Sequence, residues 1–315
     1  MRTQSVKRLL GITCLVFLVV SCAKKPSDDS AEASGLVFTT GDIVVSNAGS
    51  DAVLLFDSAG KFKRVLVSLD TTSGEAVTGL VLNKVTRQML VAVDGVDRVL
   101  AVGQDDGEVS SFIINANLIG NLRGITQLVN GDILVVETSN VERFSSVGAR
   151  RVSDVTDGSG TWPKSLQATA SAVSARADGG FVHCSTGADV VRTYGADAVQ
   201  IASVASDIAA TTDVSSCISA PADAAVYAMF SGTTDTLRKL DPVTLATTWS
   251  YSNLTHLSTP TGLAVRANGN VLALDSVFNH VVEISAAGTL VGILEGSDVD
   301  IDDMLSSPQF IYVIP

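Results

Sequence analysis

The sequence is poor in the residues that most often carry chemistry. Its three histidines, His183, His256 and His280, show no ligand spacing, so a zinc centre is not expected. No glycine-rich phosphate loop follows a strand and opens a helix, and no Gly-x-Ser-x-Gly elbow occurs. Nucleotide binding and the common serine-hydrolase arrangement therefore lack their signatures. Lys and Arg number 21 against 33 Asp and Glu, a net charge of −12, and no basic stripe offsets it. Such a surface repels phosphate backbones, which argues against a nucleic-acid partner. Aromatic residues are 5 % of the chain, so the core must be built from Val, Leu, Ile and Ala. Apolar residues at helical spacing are missing as well, which argues against a helical solenoid.

What the chain does have is a repeat. Pro260-Thr261-Gly262-Leu263-Ala264-Val265, then Asn268-Gly269-Asn270, leads into Val271-Leu272-Ala273-Leu274-Asp275. Upstream, Arg123-Gly124-Ile125-Thr126 and Asn130-Gly131-Asp132 lead into Ile133-Leu134-Val135-Val136-Glu137, with the same 13-residue interval from glycine to acid. Two short apolar runs joined by a glycine turn read as a hairpin. Weaker copies keep phase around Thr78-Gly79-Leu80, Ala172-Val173-Ser174 and Cys217-Ile218-Ser219. The residue closing the second strand falls at Asn47, Asp94, Glu137, Ser185, Phe230 and Asp275, 43 to 48 residues apart. Six units of that length, each with up to four strands, predict an all-β six-bladed propeller. The first unit lacks a leading strand and the C-terminus supplies a spare one, Ser307 to Ile314. That strand is expected to complete the first blade and close the ring, removing two open edges.

The last unit carries the pattern Pro260-x-Gly262-Leu263-Ala264-Val265, Gly269-Asn270-Val271, Asp275-Ser276 and Asn279-His280-Val281-Val282-Glu283-Ile284. It resembles an NHL-type repeat, well in this unit, moderately in the second and third, and poorly in the fourth and fifth. The resemblance implies a six-bladed propeller and no single function, since relatives include interaction platforms, nucleic-acid binders, lactone hydrolases and lyases.

The N-terminus reads as an export signal. Arg2, Lys7 and Arg8 precede the apolar run Leu9 to Val20, about 12 residues and too short to span a bilayer. Val19-Val20-Ser21-Cys22 resembles a bacterial lipoprotein lipobox. On that resemblance residues 1–21 are removed, Cys22 is lipidated, and Ala23 after it favours the outer membrane. Residues 22–35 form a flexible tether and 36–315 the propeller. Loss of residues 1–21 would take three positive charges and no acid, leaving a mature charge of −15. Cys184 and Cys217 then remain. They either form a disulfide, as an oxidising compartment permits, or stay as two buried thiols.

Asp94, Glu137 and Asp275 recur in register at second-strand ends and are the candidates for a rim at one mouth of the channel. Asp298 to Asp303 falls in an interblade loop on the same side. Acids there either bond turn amides or hold a hard cation such as calcium. No catalytic residue can be named. The function expected is a monomeric envelope lipoprotein, facing the periplasm or the exterior, whose propeller binds a protein or glycan. The alternatives are a gluconolactonase-like hydrolase with a divalent cation at the channel mouth, and an outer-membrane assembly scaffold. Trp162 and Trp249 are expected to cover blade ends or outer strands rather than to stack on a ligand.

Overall fold

The computed structural model describes residues 36–315 except 71–73, 115–120, 139, 152, 155–159, 163, 167–169, 187, 206–212, 221–223, 232–234, 254 and 295–303. The expected signal peptide, Cys22 and tether, and the segment Asp298 to Asp303, lie outside the described residues.

Six four-stranded antiparallel sheets follow one another around a central channel. The second blade shows the pattern: inner strand Ala76–Asn83, then Gln88–Asp94, Arg98–Gly103 and outer strand Val109–Ile113. The third begins at Leu122–Gln127, the fourth at Ala170–Ala175, the fifth at Asp213–Ser219 and the sixth at Pro260–Val265. In the third blade the outer strand is only Lys164–Ser165. A small hairpin, Ser153–Asp154 with Gly160–Thr161, lies between the third and fourth strands. The expected six blades are present. The fifth blade's second strand runs one residue beyond the sequence estimate, to Ser231, because Asp213 pairs with it.

The first blade has the order Pro308–Val313, Ile43–Asn47, Ala52–Phe56 and Phe62–Ser68, so the C-terminal strand is its innermost member. Ile43 pairs with Val313 and Val45 with Ile311. The seal continues past the strand: Gly41 N–H donates to Ile314 O at 2.8 Å and Ile314 N–H to Asp42 O at 2.9 Å. Pro308 stands first in the strand, where its missing N–H does least harm.

Both faces of each blade are covered by neighbouring blades, which explains why the middle strands are nearly continuous apolar runs. In Gln88–Asp94, Met89, Val91 and Val93 pack toward the first blade, while Leu90 and Ala92 pack toward the third. Six such apolar clusters occur, one at each blade junction. Outer strands carry the exposed residues, as in Phe62–Ser68, where Lys63, Arg64 and Val65 face solvent or lie part-buried.

Two sequence details set how closely the inner strands approach. A Cβ on Gly79 would lie 2.8 Å from Ile125 N in the next blade, and one on Gly262 would lie 3.1 Å from both Gln309 O and Ile311 N. The repeat glycine is thus where one inner strand's backbone meets the next.

Candidate functional site

Each inner strand carries one irregularity at the same place. The register against the second strand skips Thr78, Arg123, Ser171, Ser215, Thr261 and Gln309, one residue per blade. A bulge leaves one residue without a cross-strand partner and re-aims its side chain. All six of these residues line one cavity of about 670 Å³ at the channel mouth. Ser46, Asn47, Asp51, Leu69, Asp94 and Phe310 are among the other residues that line it. The volume lies within the range typical of small-ligand pockets. Below it the channel narrows to a space of about 80 Å³ among the inner strands, bordered by Leu80, Ile125, Val173 and Tyr312. Burial pushes the Tyr312 phenol up to about 12, against a smaller opposing effect of a backbone hydrogen bond at Leu82, so it stays protonated at the floor.

Hydroxyls in this ring tie adjacent blades together. Ser171 Oγ donates to Val214 O at 2.9 Å, and Thr261 Oγ1 to Pro308 O at 2.9 Å. Arg123, which has no hydroxyl, makes no such bond in the third blade. Its Nε is buried with no hydrogen-bond partner, and among the described residues it joins no ion pair. A buried donor left unpaired costs about 1–3 kcal/mol. Ser215 Oγ is likewise buried without a partner.

The acids expected at the rim divide in two. Asp94 lines the cavity. Asp275 is fully buried and used up: Oδ2 accepts from Ser258 N at 2.6 Å and Thr259 N at 2.8 Å, and Oδ1 from Val277 N at 2.9 Å and Phe278 N at 2.8 Å. Glu137 is also buried and does not line the cavity. The three therefore do not converge. Among the described residues no group of three or more His, Cys, Asp or Glu is placed to hold a metal ion, so the donor set for a channel-mouth cation is not assembled from them.

His256 and His280 are neighbours in the last blade region, and His183 lies apart from them in the fourth blade. His280 Nε2 bonds His256 O at 2.7 Å. His183 is wholly buried in the fourth blade, across from Arg192 and edge-on to Tyr194, with both ring nitrogens lacking partners. Burial first, and the Arg192 charge second, lower its pKa to about 4. Burial also raises the Tyr194 phenol, opposed by Arg192. Cys184 and Cys217 are joined by a disulfide, Cα atoms 5.9 Å apart, linking the fourth blade to the fifth. Trp162 is buried at the junction of the third and fourth blades, and Trp249 on an outer strand donates to Ala286 O at 3.1 Å.

Sequence reasoning missed the bulge ring. Its signal was the residue before the repeat glycine: Thr78 before Gly79, Arg123 before Gly124, Thr261 before Gly262.

No protein-family profile and no curated protein sequence matches the chain. Solved structures do. A chain of a nidogen/laminin complex is 11 % identical with a TM-score of 0.64, covering 87 % of this chain and 98 % of that one. A protein of unknown function from Bacteroides caccae is 12 % identical with a TM-score of 0.64, covering 88 % and 99 %. Virginiamycin B lyase from Staphylococcus aureus is 10 % identical with a TM-score of 0.59, covering 88 % and 87 %. At these identities the likeness establishes the six-bladed propeller fold and nothing finer.

Proposed function

We propose that the protein is an exported bacterial lipoprotein, anchored through Cys22, whose NHL-type propeller binds a protein or glycan partner at the channel mouth. The observation that carries the binding reading is the cavity of about 670 Å³ with a polar or charged side chain from the inner strand of every blade. A rigid scaffold presenting convergent polar groups around a pre-formed hollow suits recognition. One of the similar folds is a chain of a protein–protein complex, nidogen with laminin, which agrees with an interaction role. The anchor rests on the basic start, the short apolar run and the lipobox-like Val19-Val20-Ser21-Cys22.

The test is photo-crosslinking in the intact envelope from a probe residue placed at Gln309, followed by capture. A specific partner crosslinked from Gln309 and not from a probe at Val243, on the opposite face, is the expected result. Equal yields from both positions, or none from either, overturn the binding reading. The anchor is tested separately by palmitate labelling, which should vanish in Cys22→Ala.

A further inference from the structure

We infer that the mouth cavity recognises a short peptide by its carboxylate end, with Arg123 as the anchor. The inference rests on the reading of the mouth as the binding site and names the chemistry that occupies it. Among the six bulge residues, five are neutral, Thr78, Ser171, Ser215, Thr261 and Gln309, and Arg123 alone is charged. The hydroxyls of Ser171 and Thr261 are spent on carbonyls of the next blade, so their ring position is structural. Arg123 holds the same position with no such bond. Its Nε is buried and unpartnered, and no carboxylate among the described residues lies within 4.0 Å of its guanidinium. A planar guanidinium carries donors in a fork that matches a carboxylate, and this one lines the cavity with no carboxylate of the described residues paired to it.

The rest of the cavity narrows the class. Asp94 and Asp51 line the same hollow from the second and first blades without pairing to Arg123. A positive group on the third blade and two negative groups on the second and first blades fit a ligand that carries both signs. A peptide with a free carboxylate and an ammonium does so. A uronate-bearing glycan brings only negative charge and would face Asp94 and Asp51 unfavourably. Phe310 and Leu69 add apolar wall for a side chain, and a cavity of about 670 Å³ accommodates a few residues rather than a folded surface.

The test offers the purified protein a random tripeptide library with free carboxyl ends, the same library amidated, and tri-galacturonate, with retention read by equilibrium dialysis and mass spectrometry. The expected result is retention of free-acid peptides, at least tenfold less from the amidated library, and the same loss in Arg123→Gln with an unchanged melting curve. Arg123→Lys should recover part of the binding, since it keeps the charge and loses the fork. Equal retention of amidated peptides, no retention of any peptide, or retention of tri-galacturonate instead overturns the inference. Should Arg123→Gln not fold, the comparison of free and amidated libraries on the unaltered protein still decides. A partner crosslinked from Gln309 while every tripeptide fails would sink this inference and leave the binding reading standing.

Discussion

Asp275 and Asn47, at the ends of corresponding strands in the last and first blades, hold their neighbouring interblade loops in the same way. Asp275 accepts from Ser258 and Thr259 in the loop before its blade and from Val277 and Phe278 in its own turn. Asn47 accepts from Ser306 N at 2.6 Å and donates to Met304 O at 2.9 Å and to Ser50 Oγ at 2.8 Å, again loop and turn together. The second-strand end is a clasp between blades. Replacing Asp275 by Asn keeps the volume but puts an amide NH₂ against backbone donors. Hydrogen bonds to a charged group are worth about 1.5–3 kcal/mol each, and not additively, so Asp275→Asn should cost about 2–4 kcal/mol in urea unfolding. A loss below about 0.5 kcal/mol would show that these amides find other partners.

The inner-strand glycines predict a contrast between two similar substitutions. A Cβ on Gly79 meets Ile125 N at 2.8 Å and Gly124 Cα at 3.1 Å, whereas one on Gly292 meets nothing within 4 Å. Gly79→Ala should destabilise by about 1–3 kcal/mol through forced separation of the second and third blades. Gly292→Ala, on the outer strand Leu290–Ile293, should stay within about 0.5 kcal/mol. Paired denaturation curves decide, and equal effects would refute the close-approach account.

The disulfide joins units that resemble the repeat poorly, where the sequence offers least. Cys184 and Cys217 are 33 residues apart and both buried, so the bridge ties the fourth blade's second strand to the fifth blade's inner strand. Closing a loop of that length stabilises by about 3–4 kcal/mol in the chain-entropy picture. The double variant Cys184→Ala, Cys217→Ala should therefore melt lower by several degrees, and mass spectrometry of alkylated native protein should find no free thiol at either position. Quantitative alkylation without unfolding would contradict the bridge.

The C-terminal strand predicts an all-or-none effect. Removing Pro308 to Pro315 deletes the innermost strand of the first blade and uncovers Ile43–Asn47 along its length. It also opens both apolar junctions of the first blade, the one with the second blade that contains Ile314 and the one with the sixth that contains Ile311. An uncovered inner edge is a template for association. The truncated protein should elute as aggregates on size exclusion, where the full chain does not. A soluble, cooperative monomer after truncation would mean that closure is dispensable.

Much of this architecture was legible because the repeat is written in backbone requirements. Gly124 and Gly262 mark close approach, Asn130-Gly131 and Asn268-Gly269 mark hairpin turns, and Gly131 and Gly269 do have positive φ, 89° and 83°. The blade count and the spare final strand followed from their phase. The site was less legible. Asp94, Glu137 and Asp275 look equivalent in sequence, yet only Asp94 lines the cavity, because the other two side chains are drawn into the protein. Whether a strand-end acid turns to a loop or to the channel depends on the loop's path, which the strand pattern does not encode. Arg123 was overlooked because the position before the repeat glycine reads as a variable strand residue until the bulge is seen.

His183 makes the fold sensitive to acid. Its folded pKa of about 4 lies below the ordinary 6.5, chiefly because burial disfavours the charged ring and secondarily because Arg192 stands across from it. The unfolded chain takes up a proton near pH 6.5 while the folded one resists until about pH 4, so the unfolded state binds more protons between those values. Stability is full above about pH 6.5 and falls as pH drops toward 4, by about 3 kcal/mol over the whole window. In His183→Phe that part of the pH dependence should disappear, since the replacement is apolar and sits beside Phe181 and Tyr194. Urea unfolding at pH 7.0, 5.5 and 4.5 on both proteins measures it. The unaltered chain should lose stability progressively over the series and the variant markedly less. Parallel losses in the two would assign the acid sensitivity to carboxylates elsewhere in the propeller.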